Sequence, residues 1–366
     1  MMPTTATEAT PRSTTRVKTM KAIVKTTSGP GAEVRDVPVP TPGMGEVLLK
    51  VKRAGVCGTD LHIWKWDPWA SGRMKPPVTI GHEFVGEVVE IGSGVTSLVL
   101  GDLVSCESHV VCQTCLSCRT GNGHVCEHTK ILGVDINGGF AEYVVVPAVN
   151  AWKAPRNVSI EVAAIMEPCG NAVHTAYAGP LSGCNIGVTG CGPIGLFAIG
   201  VARAAGAAHV FASDVSPYRL ELARKMKADA VIDVSKESFV DRVRELTNGR
   251  GLDGVLEMSG KPAAMRDGLA ALRMGGRMSL LGLPSEPFEL DWNKLLIFKG
   301  ITLNGIIGRR MYETWYQLDQ MLTSGNLDLR PAITHVMPME DAGKAVALLE
   351  EGKAGKIVLV PWGEKA

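Results

Sequence analysis

The chain has no surplus charge of either sign: 38 lysines and arginines face 37 aspartates and glutamates. A protein without a basic field cannot concentrate a phosphate backbone, so no nucleic acid is expected as a partner. Long hydrophobic runs are equally scarce. The most apolar stretch, Ile194 to Ala208, is broken by Arg203 and Gly206, short of the ~20 residues a spanning helix needs, so no membrane is expected either. A disulfide framework is absent as well: the nine cysteines are odd in number and four crowd into one loop. That usage suits metal ligation in a reducing compartment, which makes the cytoplasm the expected address.

What is present is enough apolar sequence, 45% of 366 residues, for two cores. Residues 1–19 are Thr-rich, with Pro3, Pro11, Arg12 and Arg16, and lack the periodicity that would offset their ordering entropy. They read as a disordered tail; Glu8 and the missing amphipathic stripe speak against a transit peptide. From Met20 the chain reads as short strands at Lys21–Lys25, Glu46–Arg53 and Phe84–Ile91, punctuated by Pro38, Pro40, Pro42, Gly43 and Gly45. This predicts a β-rich domain over 20–172. Near Ser182 a rhythm of strand, glycine turn and helix begins, which predicts a parallel α/β domain over 173–311. Residues 312–366 carry a helix beyond Tyr312, another over Glu340–Glu351 and a strand at Ile357–Val360, a tail expected to return to the first domain.

The α/β half holds a dinucleotide fingerprint. A strand at Asn185–Thr189 runs into Gly190-Cys191-Gly192-Pro193-Ile194-Gly195 and then into an Ala-rich helix. Such glycines allow a tight turn and close backbone approach, so that a pyrophosphate rests on free N–H groups at the helix start. A second strand, His209–Ser213, ends in Asp214, whose carboxylate would accept hydrogen bonds from an adenosine ribose and repel a 2'-phosphate. NAD is therefore expected over NADP, with Arg219 the one nearby residue that argues the other way. The plainer reading is a glycine turn that only packs strand on helix.

Four cysteines, Cys112, Cys115, Cys118 and Cys126, form C-x2-C-x2-C-x7-C within the loop 106–128. Interleaved with Gln113, Thr114, Ser117 and Arg119 they cannot all be core, and they read as a closed structural zinc site. Cys106 is left outside it, and His109, His124 and His128 are taken as bystanders. A second set is more diffuse. Cys57 in Gly55-Val56-Cys57-Gly58-Thr59-Asp60-Leu61-His62 and His82 with Glu83 in Gly81-His82-Glu83-Phe84-Val85-Gly86 sit in glycine-flanked stretches at strand ends. A thiolate, an imidazole and a carboxylate suffice for a catalytic zinc with one open position, and Glu167 in Met166-Glu167-Pro168-Cys169-Gly170-Asn171 offers a further carboxylate. The plainer reading makes Glu83 and Glu167 ordinary ion-pair partners. Trp64, Trp66 and Trp69 are read as packing residues.

On these motifs, together with Leu256-Glu257-Met258-Ser259-Gly260 and Gly308-Arg309-Arg310-Met311-Tyr312-Glu313-Thr314-Trp315-Tyr316, the chain resembles the zinc-containing medium-chain dehydrogenases from Met20 onward. The segments Trp64–Trp69, Asn171–His174 and Glu313–Tyr316 resemble the branch that acts on threonine. The resemblance implies a GroES-like catalytic domain interrupted by a Rossmann domain, two zinc ions per chain, NAD as oxidant, L-threonine as the small-molecule substrate and a homotetramer. It implies that Cys57, His82 and Glu83 hold the catalytic zinc, that Thr59 and His62 relay a proton, and that Glu167 matters for catalysis. On the cofactor side it implies Ile194, Asp214 and Arg219, the run Leu281, Gly282 and Leu283, and Ile306 with Ile307. Two features depart from the pattern: the Thr-rich leader, and Glu167 at a position where a relative can carry the shorter Asp. The alternatives are a polyol or 2,3-diol dehydrogenase with the same metal and cofactor, and a zinc- and nucleotide-binding scaffold without activity.

Overall fold

The computed structural model describes residues 19–284 and 286–365. The expected tail thus lies outside the described residues except for Thr19, which opens the first strand, Thr19–Lys25. That strand lies between Glu33–Pro38 and Val78–Thr79 in a small antiparallel sheet. The larger sheet of this half has seven strands. Its order runs Ala151–Lys153, Leu103–Cys106, Glu83–Ile91, Glu46–Val56, Lys356–Val360, Ile333–Pro338, with Tyr143–Pro147 also paired to Glu46–Val56. Leu49, Val51, Ala54 and Val56 of the central strand are fully buried, and they share one core with Phe84, Phe140, Ile357 and Leu359. The chain's last strand therefore completes the sheet begun by its first 150 residues, because Lys356–Val360 is buried along its whole length and pairs antiparallel with Glu46–Val56.

The other sheet has six parallel strands. In chain order they are Asn185–Thr189, His209–Asp214, Ala230–Asp233, Leu252–Glu257, Leu272–Leu280 and Thr302–Gly305, and in space they run third, second, first, fourth, fifth, sixth. That is the doubly wound dinucleotide-binding order, whose ligand crevice opens where the winding reverses, between the first and fourth strands. Near-continuous apolar burial in Asn185–Thr189 follows from helices covering both faces of a parallel sheet.

Helix Met166–Tyr177 lies between the two halves. Its apolar side enters the core that holds Phe197, Leu196 and Val188, and helix Glu313–Thr323 packs beside it through Trp315, Leu318 and Leu322. The boundary expected at 172/173 falls inside this helix. The tail from 312 accordingly divides: helix Glu313–Thr323 joins the core of the parallel-sheet half, while helix Ala342–Glu350 and the strands Ile333–Pro338 and Lys356–Val360 join the β-rich half.

Candidate active site

The cleft between the halves is built on glycines and helix starts. Gly81 has φ +92°, and a Cβ there would lie 2.2 Å from the Phe140 ring, so the chain can enter strand Glu83–Ile91 with His82 aimed inward only with glycine at that position. Cys57 is the N-cap of helix Gly58–Lys65, and the buried Asp60 carboxylate accepts the Cys57 N–H at 2.9 Å. These two devices bring Cys57, His82 and Glu83 together, with one ligand atom from each within 4.8 Å of the others.

The cluster is electrostatically incomplete. Glu83 is fully buried and ion-paired with the buried Lys356, yet among the described residues its Oε1 has no hydrogen-bond partner, and neither has His82 Nδ1. Burial should depress the His82 imidazole, but the neighbouring Cys57 sulfur and the Asp60 carboxylate, 3.6 Å from Nδ1, override it and raise it to about 10. A buried pocket of thiol, imidazole and carboxylates that binds a proton this tightly is one that favours a cation. Zinc fits: the donors are the right mixture, and the unpartnered Glu83 and His82 atoms are what a metal would satisfy.

The cleft itself, about 670 Å³, is lined by Cys57, Thr59, His82 and Glu167 together with Leu281, Leu283, Ile306 and Ile307. Thr59 Oγ1 is 3.8 Å from Cys57 Sγ. His62 lies on the same helix but outside the cleft, half-exposed, with Nδ1 2.5 Å from Asp67 Oδ2. Glu167 is buried beneath the metal cluster, where Ser108 donates to its Oε1 at 2.5 Å and Arg309 Nη1 lies 2.8 Å from the same atom. Burial raises its affinity for a proton and the Arg309 charge opposes that rise.

The fingerprint glycines do three different things. Gly190 has φ +90°; a Cβ at Gly195 would lie 1.9 Å from the Gly190 carbonyl oxygen; and a Cβ at Gly192 would meet nothing within 4 Å. The first allows the turn, the third lets helix pack on strand, and the second leaves open space at the start of helix Pro193–Ala204, where a pyrophosphate fits. Gly190, Gly192, Asp214 and Arg219 line a second cavity of about 540 Å³. Asp214 accepts the Cys191 N–H at 2.7 Å and the Ser216 N–H at 2.9 Å, and Arg219 Nε is buried without a partner. The residues expected to hold the cofactor thus divide between the two cavities. Ile194, Gly195 and Gly282 line neither: Ile194 packs against the core and Gly282 presses on the Gly260 amide.

The cysteine quartet surrounds a point on the outer rim. Its sulfurs are 3.6 Å (Cys126–Cys112), 3.8 Å (Cys115–Cys126) and 4.0 Å (Cys112–Cys118) apart. A tetrahedron with Zn–S bonds of ~2.3 Å spaces its sulfurs by about 3.8 Å. Backbone N–H groups of Cys115 and His128 point at Cys112 and Cys126 sulfurs at 3.3 Å each. The Thr114 hydroxyl and the Thr114 and Cys115 amides pull Cys112 down to about 5, while lost hydration and neighbouring thiols push Cys118 up to about 12. Four thiolates cannot coexist there without a dication.

Several cleft residues carry no sequence signal of their role. His109 and His124, taken as bystanders, line the cleft, as does Trp69, taken as packing. Burial and the Arg309 charge hold His109 neutral, down at about 3. Beneath them Glu107 accepts from Arg309 Nε and Trp315 Nε1, both at 2.8 Å, in a fully buried network.

Comparison with known proteins agrees with this geometry. Residues 43–156 match the alcohol dehydrogenase GroES-like domain and residues 193–324 the zinc-binding dehydrogenase family. The L-threonine 3-dehydrogenase of Symbiobacterium thermophilum is 51% identical over 345 residues, 94% of this chain and 98% of that protein. The L-threonine 3-dehydrogenase of Pyrococcus horikoshii is 51% identical over 342 residues, 93% and 98% of the two chains. Among solved structures, an Escherichia coli CFT073 alcohol dehydrogenase complexed with NADH superimposes with a TM-score of 0.86 at 30% identity, covering 94% of this chain and 100% of that one. The 2R,3R-butanediol dehydrogenase of Bacillus subtilis gives 0.86 at 30% identity, covering 93% and 99%.

Proposed function

We propose that this chain, which belongs to the L-threonine 3-dehydrogenase family of zinc-binding dehydrogenases, oxidises the C3 hydroxyl of L-threonine to a ketone and passes the hydride to NAD. The products are 2-amino-3-oxobutanoate, NADH and a proton. One observation carries the reading: Cys57 and His82 of the metal-ligating set line the same cleft as Leu281, Leu283, Ile306 and Ile307.

Bound zinc supplies Lewis acidity toward the hydroxyl oxygen, and bound NAD supplies the hydride acceptor. The chain's own work is to hold, orient and move a proton. Cys57, His82 and Glu83 hold the metal, and Lys356 compensates part of the charge this buried set accumulates. Thr59 lies beside Cys57 inside the cleft and His62 stands outside it on the same helix, so the Thr59 hydroxyl would take the substrate proton as it gives up its own, and the His62 imidazole would receive it and release it to solvent. Glu167, braced by Arg309 and Ser108, places a buried carboxyl on the cleft lining near the metal-ligating set. Gly190, Gly192 and Asp214 hold the adenosine end; the Asp214 carboxylate, which would repel a 2'-phosphate, favours NAD.

Closed S4 ligation by Cys112, Cys115, Cys118 and Cys126 gives each chain a second zinc with a structural role. Exposed Trp292, Ile297 and Phe298 support assembly with further copies of the chain, and the family resemblance makes that assembly a homotetramer. Nine unpaired cysteines support a cytoplasmic location, and no helix among the described residues is long and apolar enough to cross a membrane.

Initial rates on L-threonine, sorbitol and 2,3-butanediol with NAD test the substrate. Threonine should exceed the others in kcat/KM by roughly tenfold or more, which corresponds to about 1.4 kcal/mol. A preference for the diol or the polyol would move the chain to that neighbouring activity.

A further inference from the structure

An α-amino acid enters a cleft with a full negative charge on its carboxylate, and removing that charge from water is costly unless a charged donor of matching shape receives it. Two arginines line this cleft, Arg73 and Arg309. Arg309 has nothing left to give. Its Nε and Nη2 serve Glu107, Nη2 also serves Ser108 at 3.1 Å, and Nη1 serves Asn171 at 3.1 Å and Glu167 at 2.8 Å. The histidines on the wall offer no permanent charge either: His82 belongs to the metal set, and burial holds His109 and His124 neutral.

Arg73 is different. It stands in the last turn of helix Pro68–Arg73, about a third exposed, and pairs side-on with Asp135: Nε donates to Oδ1 at 3.1 Å and Nη2 to Oδ2 at 2.7 Å. Asp135 is itself fixed by the Ile131 N–H at 2.8 Å, so the guanidinium plane is clamped. A guanidinium has five N–H groups, and a side-on pair uses two. Its end-on edge, formed by Nη1 and the second hydrogen of Nη2, has no partner among the described residues.

We propose that this free edge of Arg73 binds the carboxylate of the amino-acid substrate in a bidentate pair while Asp135 positions it; the proposal rests on the threonine reading above. It assigns an amino-acid subsite to the cleft that Cys57 and His82 also line.

The test compares L-threonine with L-threoninamide, which keeps the hydroxyl and the amine but has no carboxylate. In Arg73→Met the ratio of kcat/KM for threonine over the amide should fall roughly thirtyfold, about 2 kcal/mol, through KM for threonine, with kcat and KM for NAD little changed. Arg73→Lys, which keeps the charge and loses the fork, should fall between variant and wild type. Unchanged thermal midpoints show that both variants fold. A threonine KM within threefold of wild type, or equal losses on acid and amide, overturns the proposal while leaving the activity intact. Wild-type enzyme that ignores L-threonine overturns the activity itself, and the anchor with it.

Discussion

The two cysteine-bearing clusters share a ligand type and little else. The quartet at 112–126 has four like donors, backbone amides aimed at its sulfurs and sulfur spacings that already suit a tetrahedron. The cluster of Cys57, His82 and Glu83 has three unlike donors, buried polar atoms without partners and a raised imidazole. A closed set of equal ligands can only hold a loop. An unequal set at the floor of a cleft, left short of donors, can accept a substrate oxygen as well. The position of each in the fold agrees: the quartet staples a rim loop that contributes His124 to the cleft wall, while the other set hangs from the central strands of the larger sheet.

That contrast breaks first at Cys57. Cys57→Ser should lower turnover by roughly a thousandfold or more, with the melting midpoint within a few degrees of wild type, since this set adds chemistry more than packing. A cooperative melt lost along with activity would place it with the structural sites. Cys118→Ser should behave in the opposite way. Zinc content falls, the midpoint drops by roughly 5 °C or more, and KM rises through the displaced wall while residual kcat persists. Equal effects of the two substitutions on activity and melting would erase the distinction.

A smaller effect is expected beneath the cleft, where Glu107 compensates the buried Arg309. Burial alone would raise the Glu107 carboxyl, but the Arg309 charge wins and holds it below the ordinary range. A depressed carboxyl contributes stability that is present above its unfolded value of ~4.3 and lost as pH falls through the folded value. Glu107→Gln should therefore cost about 2–4 kcal/mol at pH 7, and the gap to wild type should narrow as the pH falls below that value. Melting curves stepped from pH 7 to pH 3 read the cost and its narrowing below about 4.3; a gap that widens in acid would mean Glu107 is not the compensating charge.

Local features were legible in the sequence because their residues are neighbours. The glycine turn, the Asp214 strand end and the cysteine quartet each lie within one short segment, and strand Lys356–Val360 announced itself by an unbroken apolar run. The network under the cleft was not legible. Arg309 reaches Glu107 across 202 positions and Trp315 reaches it across 208, and no spacing rule joins them. His109 and His124 looked incidental because their neighbourhood is dominated by cysteines, and only the fold turns that loop toward the metal cluster. Trp69 looked like packing and Arg73 passed unnoticed for a related reason: a six-residue helix has too little periodicity to show which of its side chains faces a cavity.

The most direct measurement is the rate of NAD reduction with L-threonine through stepwise removal and return of zinc, with bound metal counted at each step. Full activity is expected with two zinc ions per chain, with a loss of at least roughly a thousandfold when the metal is stripped and recovery on its return. Metal-free protein that reduces NAD at full speed would contradict that expectation, as would full activity with one zinc per chain.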